Sequence, residues 1–121
     1  MKTINVILID VDTKTICKVK IDDVESLEFK MKWCRLMGSS EIDEVLYPNR
    51  DSMRICGDNL MNPNPEKFNY FSFNGSDVFP GNGMIVGMTN RGEPTDVHMS
   101  VDEIQSMVKY HNHYDLTEQF N

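Results

Sequence analysis

A chain of 121 residues with 40% hydrophobic content can bury one sizeable core and is too short for two ordinary domains, so a single small domain over residues 1–121 is expected. Nineteen acidic against twelve basic residues give a formal charge of -7, which opposes nucleic-acid phosphates and the anionic face of a membrane, so neither is an expected partner. Cys17, Cys34 and Cys56 form no C-x-x-C pair, and no signal-peptide or membrane-span pattern is present, so a reduced cytoplasm is the expected location.

Thr3 to Val11 is rich in β-branched residues, and Thr15 to Ile21 alternates Ile16, Lys18 and Lys20 against Cys17, Val19 and Ile21. With turn chemistry at Asp12 to Lys14 between them, these runs predict an antiparallel hairpin whose first strand is interior. A helix is predicted from Asp22 or Asp23, either of which can cap it, to a stop at Gly38. Leu27, Met31 and Cys34 form one apolar row on it, and Phe29, Trp33 and Met37 form a second. That second row either faces the same core or is a surface for a partner or for self-association. Strands are predicted at Glu41 to Tyr47 and Met53 to Cys56, and Pro63 and Pro65 mark an irregular segment. Phe68, Tyr70, Phe71 and Phe73 then supply aromatic strand formers on both faces.

Gly75 to Pro94 brackets one short apolar run with turn residues. Pro80 to Gly83 is a turn using positive φ, Met84 to Thr89 an interior strand, Asn90 to Gly92 a tight turn, and Thr95 to Met99 a strand pairing back. Ser100 and Glu103 are spaced as a capping box, and the helix they open is predicted to last to about Tyr110. The pattern is α+β: a mainly antiparallel sheet with two helices packed on it, both expected against one face, and no parallel β-α-β repeat.

No complete catalytic set emerges. Asp10, Asp12 and Thr13 after an apolar strand resemble the D-x-D-x-T signature of aspartyl-phosphate phosphohydrolases, with Asp10 as nucleophile and Asp12 as acid/base. That chemistry needs a parallel α/β core, whereas a hairpin is predicted here, so a turn is the favoured reading. Gly81, Gly83 and Gly87 lack the lysine-serine ending of a phosphate-binding loop and precede a strand, leaving a backbone-lined anion site near Arg91 as the residual option. His111 and His113 lie far from His98, and no metal or cofactor site is expected. Asp96, His98 and Ser100 alternate along one strand face, but Ser100 is better used as the helix cap. Asn49, Arg50, Arg54 and Tyr70 are either solvated surface or a shallow binding site.

Asp77 with Pro80 and Gly81, the run Ile85 to Gly87, and Gly92 to Asp96 before a Ser100-led helix resemble the C-terminal half of an uncharacterised family of small accessory proteins of bacteriophages, prophages and conjugative elements. The resemblance implies no catalytic residues. It implies a non-enzymatic protein that binds a host protein, a counter-defence role included, with Trp33, Phe29 and Met37 as anchors if their row is exposed. The alternative is a sponge for a small nucleotide signal, with Arg50, Arg54, Arg91 and Tyr70 on phosphates and base, at a homo-oligomer interface. A small metal-dependent hydrolase using Asp10 and Asp12 is the third reading.

Overall fold

The computed structural model describes residues 3–22, 33–38, 42–46, 50–56 and 69–112. Its strands are β1 (Thr3–Asp10), β2 (Thr15–Asp22), β3 (Ile42–Leu46), β4 (Asp51–Cys56), β5 (Asn69–Phe73), β6 (Phe79–Pro80), β7 (Gly83–Met88), β8 (Pro94–Thr95) and β9 (Val108–Asn112). Helical residues 33–37 form α1 and Val101–Met107 form α2. The larger sheet runs β2-β1-β7-β4-β3 with β8 also on β7, the smaller runs β6-β5-β9, and every pairing is antiparallel. The fold is mixed α+β, with two helices packed on a mainly antiparallel sheet.

Strand alternation decides which layer each residue enters. Ile7 and Ile9 of β1, Met53 and Ile55 of β4, and Ile85 of β7 meet Phe71, Phe73 and Phe79 of the smaller sheet and Ile104 of α2 in one buried cluster. Their neighbours Ile4, Val6, Cys56, Met84 and Val86 meet Trp33 and Met37 of α1 in another. The central strands are therefore buried on both faces, and the helices lie on opposite faces of the larger sheet. The expectation of both helices on one face fails because β1 and β7 carry large apolar residues at odd and even positions alike, and Cys56 of β4 is buried on the α1 side.

The predicted hairpin forms, with an unbroken register from Thr3 opposite Asp22 to Asp10 opposite Thr15. Asp22 thus ends a strand, and the rest of the predicted first helix up to residue 32, including Phe29, lies outside the described residues. Asp10 fixes the turn: its Oδ1 accepts the N–H of Asp12 at 3.0 Å and of Thr13 at 3.1 Å.

The helix predicted to reach Tyr110 stops at Met107. Ser100 accepts the Glu103 N–H and Glu103 accepts the Ser100 N–H, as the capping box requires, but Val108 is already extended at φ -92 and ψ 133. β9 then completes a ladder with β5, and Val108 and Tyr110 pack against the aromatic cluster with period two. A bond from Asn74 N–H to the Met107 carbonyl, 2.8 Å, ties the helix end to the strand it joins. Sheet pairing of β5, whose other neighbour β6 has two residues, outweighs continued helix.

Thr95 to Met99 pairs back for only part of its length. Thr95 sits opposite Gly87 and Pro94 opposite Met88; beyond them Val97 N–H donates to the Asn5 carbonyl at 2.9 Å, so the segment crosses from β7 to the start of β1.

Candidate functional site

The sequence placed a carboxylate, Asp51, in register with Met53 and Ile55 on a core-facing side of β4. It is fully buried, with 0% exposure. Its Oδ1 accepts the backbone N–H of His98 at 2.9 Å and meets His98 Nδ1 at 2.7 Å, and its Oδ2 accepts the Met99 N–H at 3.0 Å. A carboxylate offers only acceptors, so the imidazole Nδ1–H is the donor in this contact. The His98 side chain is 27% exposed. Such a pair can orient an imidazole, yet its first effect is structural: it nails residues 98 and 99 to the sheet immediately before α2. Sequence spacing does not reveal this pair, because 47 positions separate the two residues. The one available signal was an acidic residue on an otherwise apolar strand face.

Other polar groups are used locally. Asp12 accepts from Asn69 Nδ2 at 2.9 Å, linking the hairpin turn to the smaller sheet. Asp10 is committed to its own turn, and burial together with the nearby Asp10 charge raises the pKa of Tyr110, whose buried hydroxyl has no hydrogen-bond partner among the described residues. Asp96 accepts the Asn5 N–H, and Ser100 caps α2, so the Asp96, His98 and Ser100 series is not a catalytic relay. Ser72 Oγ and His111 Nε2 lie 3.0 Å apart across β5 and β9, a contact that sequence spacing did not reveal. Among the described residues no three His, Cys, Asp or Glu side chains cluster closely enough to hold one ion.

The anticipated binding residues are dispersed. Trp33 and Met37 are each 2% exposed, so the exposed row required for anchors is not met at these two positions: they fill the space between α1 and the sheet. The guanidinium of Arg54 stacks on Trp33, 3.9 Å from the ring centroid, and is part of that same layer. Arg50, exposed and at φ 68, precedes the Asp51–Gly87 pair, and exposed Arg91 lies in the turn after β7, so both flank one end of the larger sheet. Arg54 is opposite Met84, farther along β4, and Tyr70 is buried in the smaller sheet. Asn49 lies outside the described residues. Of the four groups that would have to converge on one nucleotide, Arg50 and Arg91 thus share one end of the larger sheet, and Arg54 and Tyr70 lie apart from them.

A different feature stands out at the edge of the larger sheet. Asn5 donates its N–H to Asp96 Oδ1 at 2.7 Å and accepts the Val97 N–H, so both backbone groups point away from β2. The Asn5–Lys20 pair is therefore the non-hydrogen-bonded kind. Alternation makes Ile7–Lys18 and Ile9–Ile16 the same kind. It follows that Ile16, Lys18 and Lys20 turn their N–H and C=O groups outward, and among the described residues no partner accepts or donates to them. Lys18 and Lys20 are exposed, with no ion pair among the described residues. On the opposite face of the strand Val19 is half-buried against the α1-side cluster and Cys17 is exposed.

The other edges are less receptive. β3 is broken by a register shift between Glu44 and Leu46, β6 and β8 have two residues each and contain Pro80 and Pro94, and β9 has five residues. β2, with eight residues and a continuous register, is the longest. Comparison with protein-family models, curated proteins and solved structures finds no match to this chain.

Proposed function

We propose that this chain is a non-enzymatic binding protein that holds a protein partner by adding an extended segment of that partner to β2. One observation carries the reading: three consecutive outward-facing N–H and C=O pairs, on Ile16, Lys18 and Lys20, lie along an unbroken eight-residue edge. Strand addition draws affinity from such main-chain groups and specificity from the alternating side chains beside them. On the resemblance of Asp77 to Gly81 and Gly92 to Asp96 to accessory proteins of phages and mobile elements, the partner is a host protein, the setting counter-defence and the location the host cytoplasm.

Proline scanning separates this reading from general unfolding. Lys18 donates nothing to β1, so Lys18→Pro removes one outward donor and leaves the hairpin ladder intact. Val19 N–H faces β1, so Val19→Pro breaks the ladder itself. Lys18→Pro is expected to retain its circular dichroism spectrum and lose at least about tenfold in partner capture from host lysate, from one lost hydrogen bond and the steric block of the ring. Capture by Lys18→Pro equal to that of the unaltered chain refutes the proposal.

A further inference from the structure

We infer that the segment received by β2 is acidic on one face and aliphatic on the other, an extended stretch alternating Asp or Glu with Val, Ile or Leu. This inference rests on the strand-addition reading and adds the chemistry of the partner. Lys18 and Lys20 share the face of β2 that carries Ile16, and each is exposed without an ion pair among the described residues. Cross-strand neighbours on one face of an antiparallel or parallel pair stand close enough for opposite charges to attract and like charges to repel. An incoming strand therefore meets two cations on that face. On the other face it meets Cys17 and Val19, and Val19 is continuous with the apolar layer formed by Ile21, Trp33 and Met37. An alternating segment satisfies both faces at once, and a shift by one residue would set carboxylates on the apolar side.

The same charges disfavour a second copy as the occupant. Pairing two β2 edges places the lysines of both chains on shared faces, and each chain adds a net charge of -7 to the repulsion. For a foreign acidic segment the overall negative charge is unfavourable at long range, so the lysines select register at contact instead of accelerating encounter. Raising salt then weakens the preference.

Two capped ten-residue peptides test this, one alternating Glu with Val and the other Lys with Val, titrated against the full chain and against Lys18→Pro and the double variant Lys18→Glu/Lys20→Glu. The unaltered chain is expected to favour the Glu peptide by about tenfold at low salt, the double variant to favour the Lys peptide, and Lys18→Pro to lose both. Equal affinity for the two peptides, or a preference for the Lys peptide, with both lost in Lys18→Pro, overturns the acidic partner and leaves strand addition standing. Binding of either peptide unchanged by Lys18→Pro, or binding of neither, overturns strand addition itself. Sedimentation showing a dimer that Lys18→Pro dissociates identifies a second copy as the occupant and overturns the inference.

Discussion

Asp51→Ala is expected to lower the free energy of unfolding by about 3–5 kcal/mol, read from the denaturant midpoint at unchanged slope. The carboxylate is fully buried and receives the His98 N–H, the His98 imidazole and the Met99 N–H, at 2.7–3.0 Å. Alanine leaves two main-chain donors without an acceptor in a space closed to water, and each unsatisfied group costs about 1–3 kcal/mol. Asp51→Asn retains the size but turns an N–H₂ group towards a donor, so it recovers only part of the loss. His98→Ala removes one donor from a carboxylate that keeps two others, and is expected to cost about 1 kcal/mol. A loss below about 1 kcal/mol for Asp51→Ala would show that the connection before α2 is held by something else.

Gly87→Ala is the second large effect expected. A methyl group there would overlap the backbone carbonyl of Asp96, which is no flexible side-chain tip that can swing away. Thr95 is paired to Gly87 itself, Val97 is bonded to Asn5 and His98 to Asp51, so the obstructing carbonyl is held on both sides. Relief requires breaking the β7–β8 pairing or displacing the edge of β1, and the expected cost is about 3 kcal/mol. Gly92→Ala is the control, because its φ of 79 disfavours alanine while nothing lies within 4 Å of the added carbon. Its expected cost is about 1 kcal/mol. Comparable midpoints for the two variants would mean that the Gly87 contact relaxes freely.

Elements with local signals were legible in the sequence. The alternation of Thr15 to Ile21, the turn residues Asp12 to Lys14, the apolar run from Met84 and the Ser100–Glu103 spacing each specify their geometry within a few residues, and each forms as read. Features decided by distant partners were not. Nothing near Val108 announces that β5 will take it as a strand, since the competition is between local helix and a ladder 35 positions away. The spacing of Trp33 and Met37 marks an apolar helix row but cannot say whether the sheet beneath is buried on one face or two. Here it is buried on two, and Trp33 and Met37 became core.

The candidate site was hidden for a related reason. The alternation of Thr15 to Ile21 puts Lys18 and Lys20 on one face of the hairpin with Ile16, and both lysine side chains are exposed. Their significance comes from β2 being an edge and from the outward direction of their main-chain groups, fixed by how Asn5 is used by Asp96 and Val97. Asp51 and His98 likewise required the β4–β7 register to bring the segment after β8 over the end of β4.

Residue-resolved amide exchange along β2 tests the central claim most directly. In the free chain Cys17, Val19 and Ile21 should exchange slowly through their bonds to β1, while Ile16, Lys18 and Lys20 exchange rapidly, giving protection with a period of two. Saturation with the Glu–Val peptide should slow Ile16, Lys18 and Lys20 and leave the other three as they were. Uniform protection along the free strand, or outward amides that stay fast when the peptide is bound, would contradict an open edge that recruits its partner as an added strand.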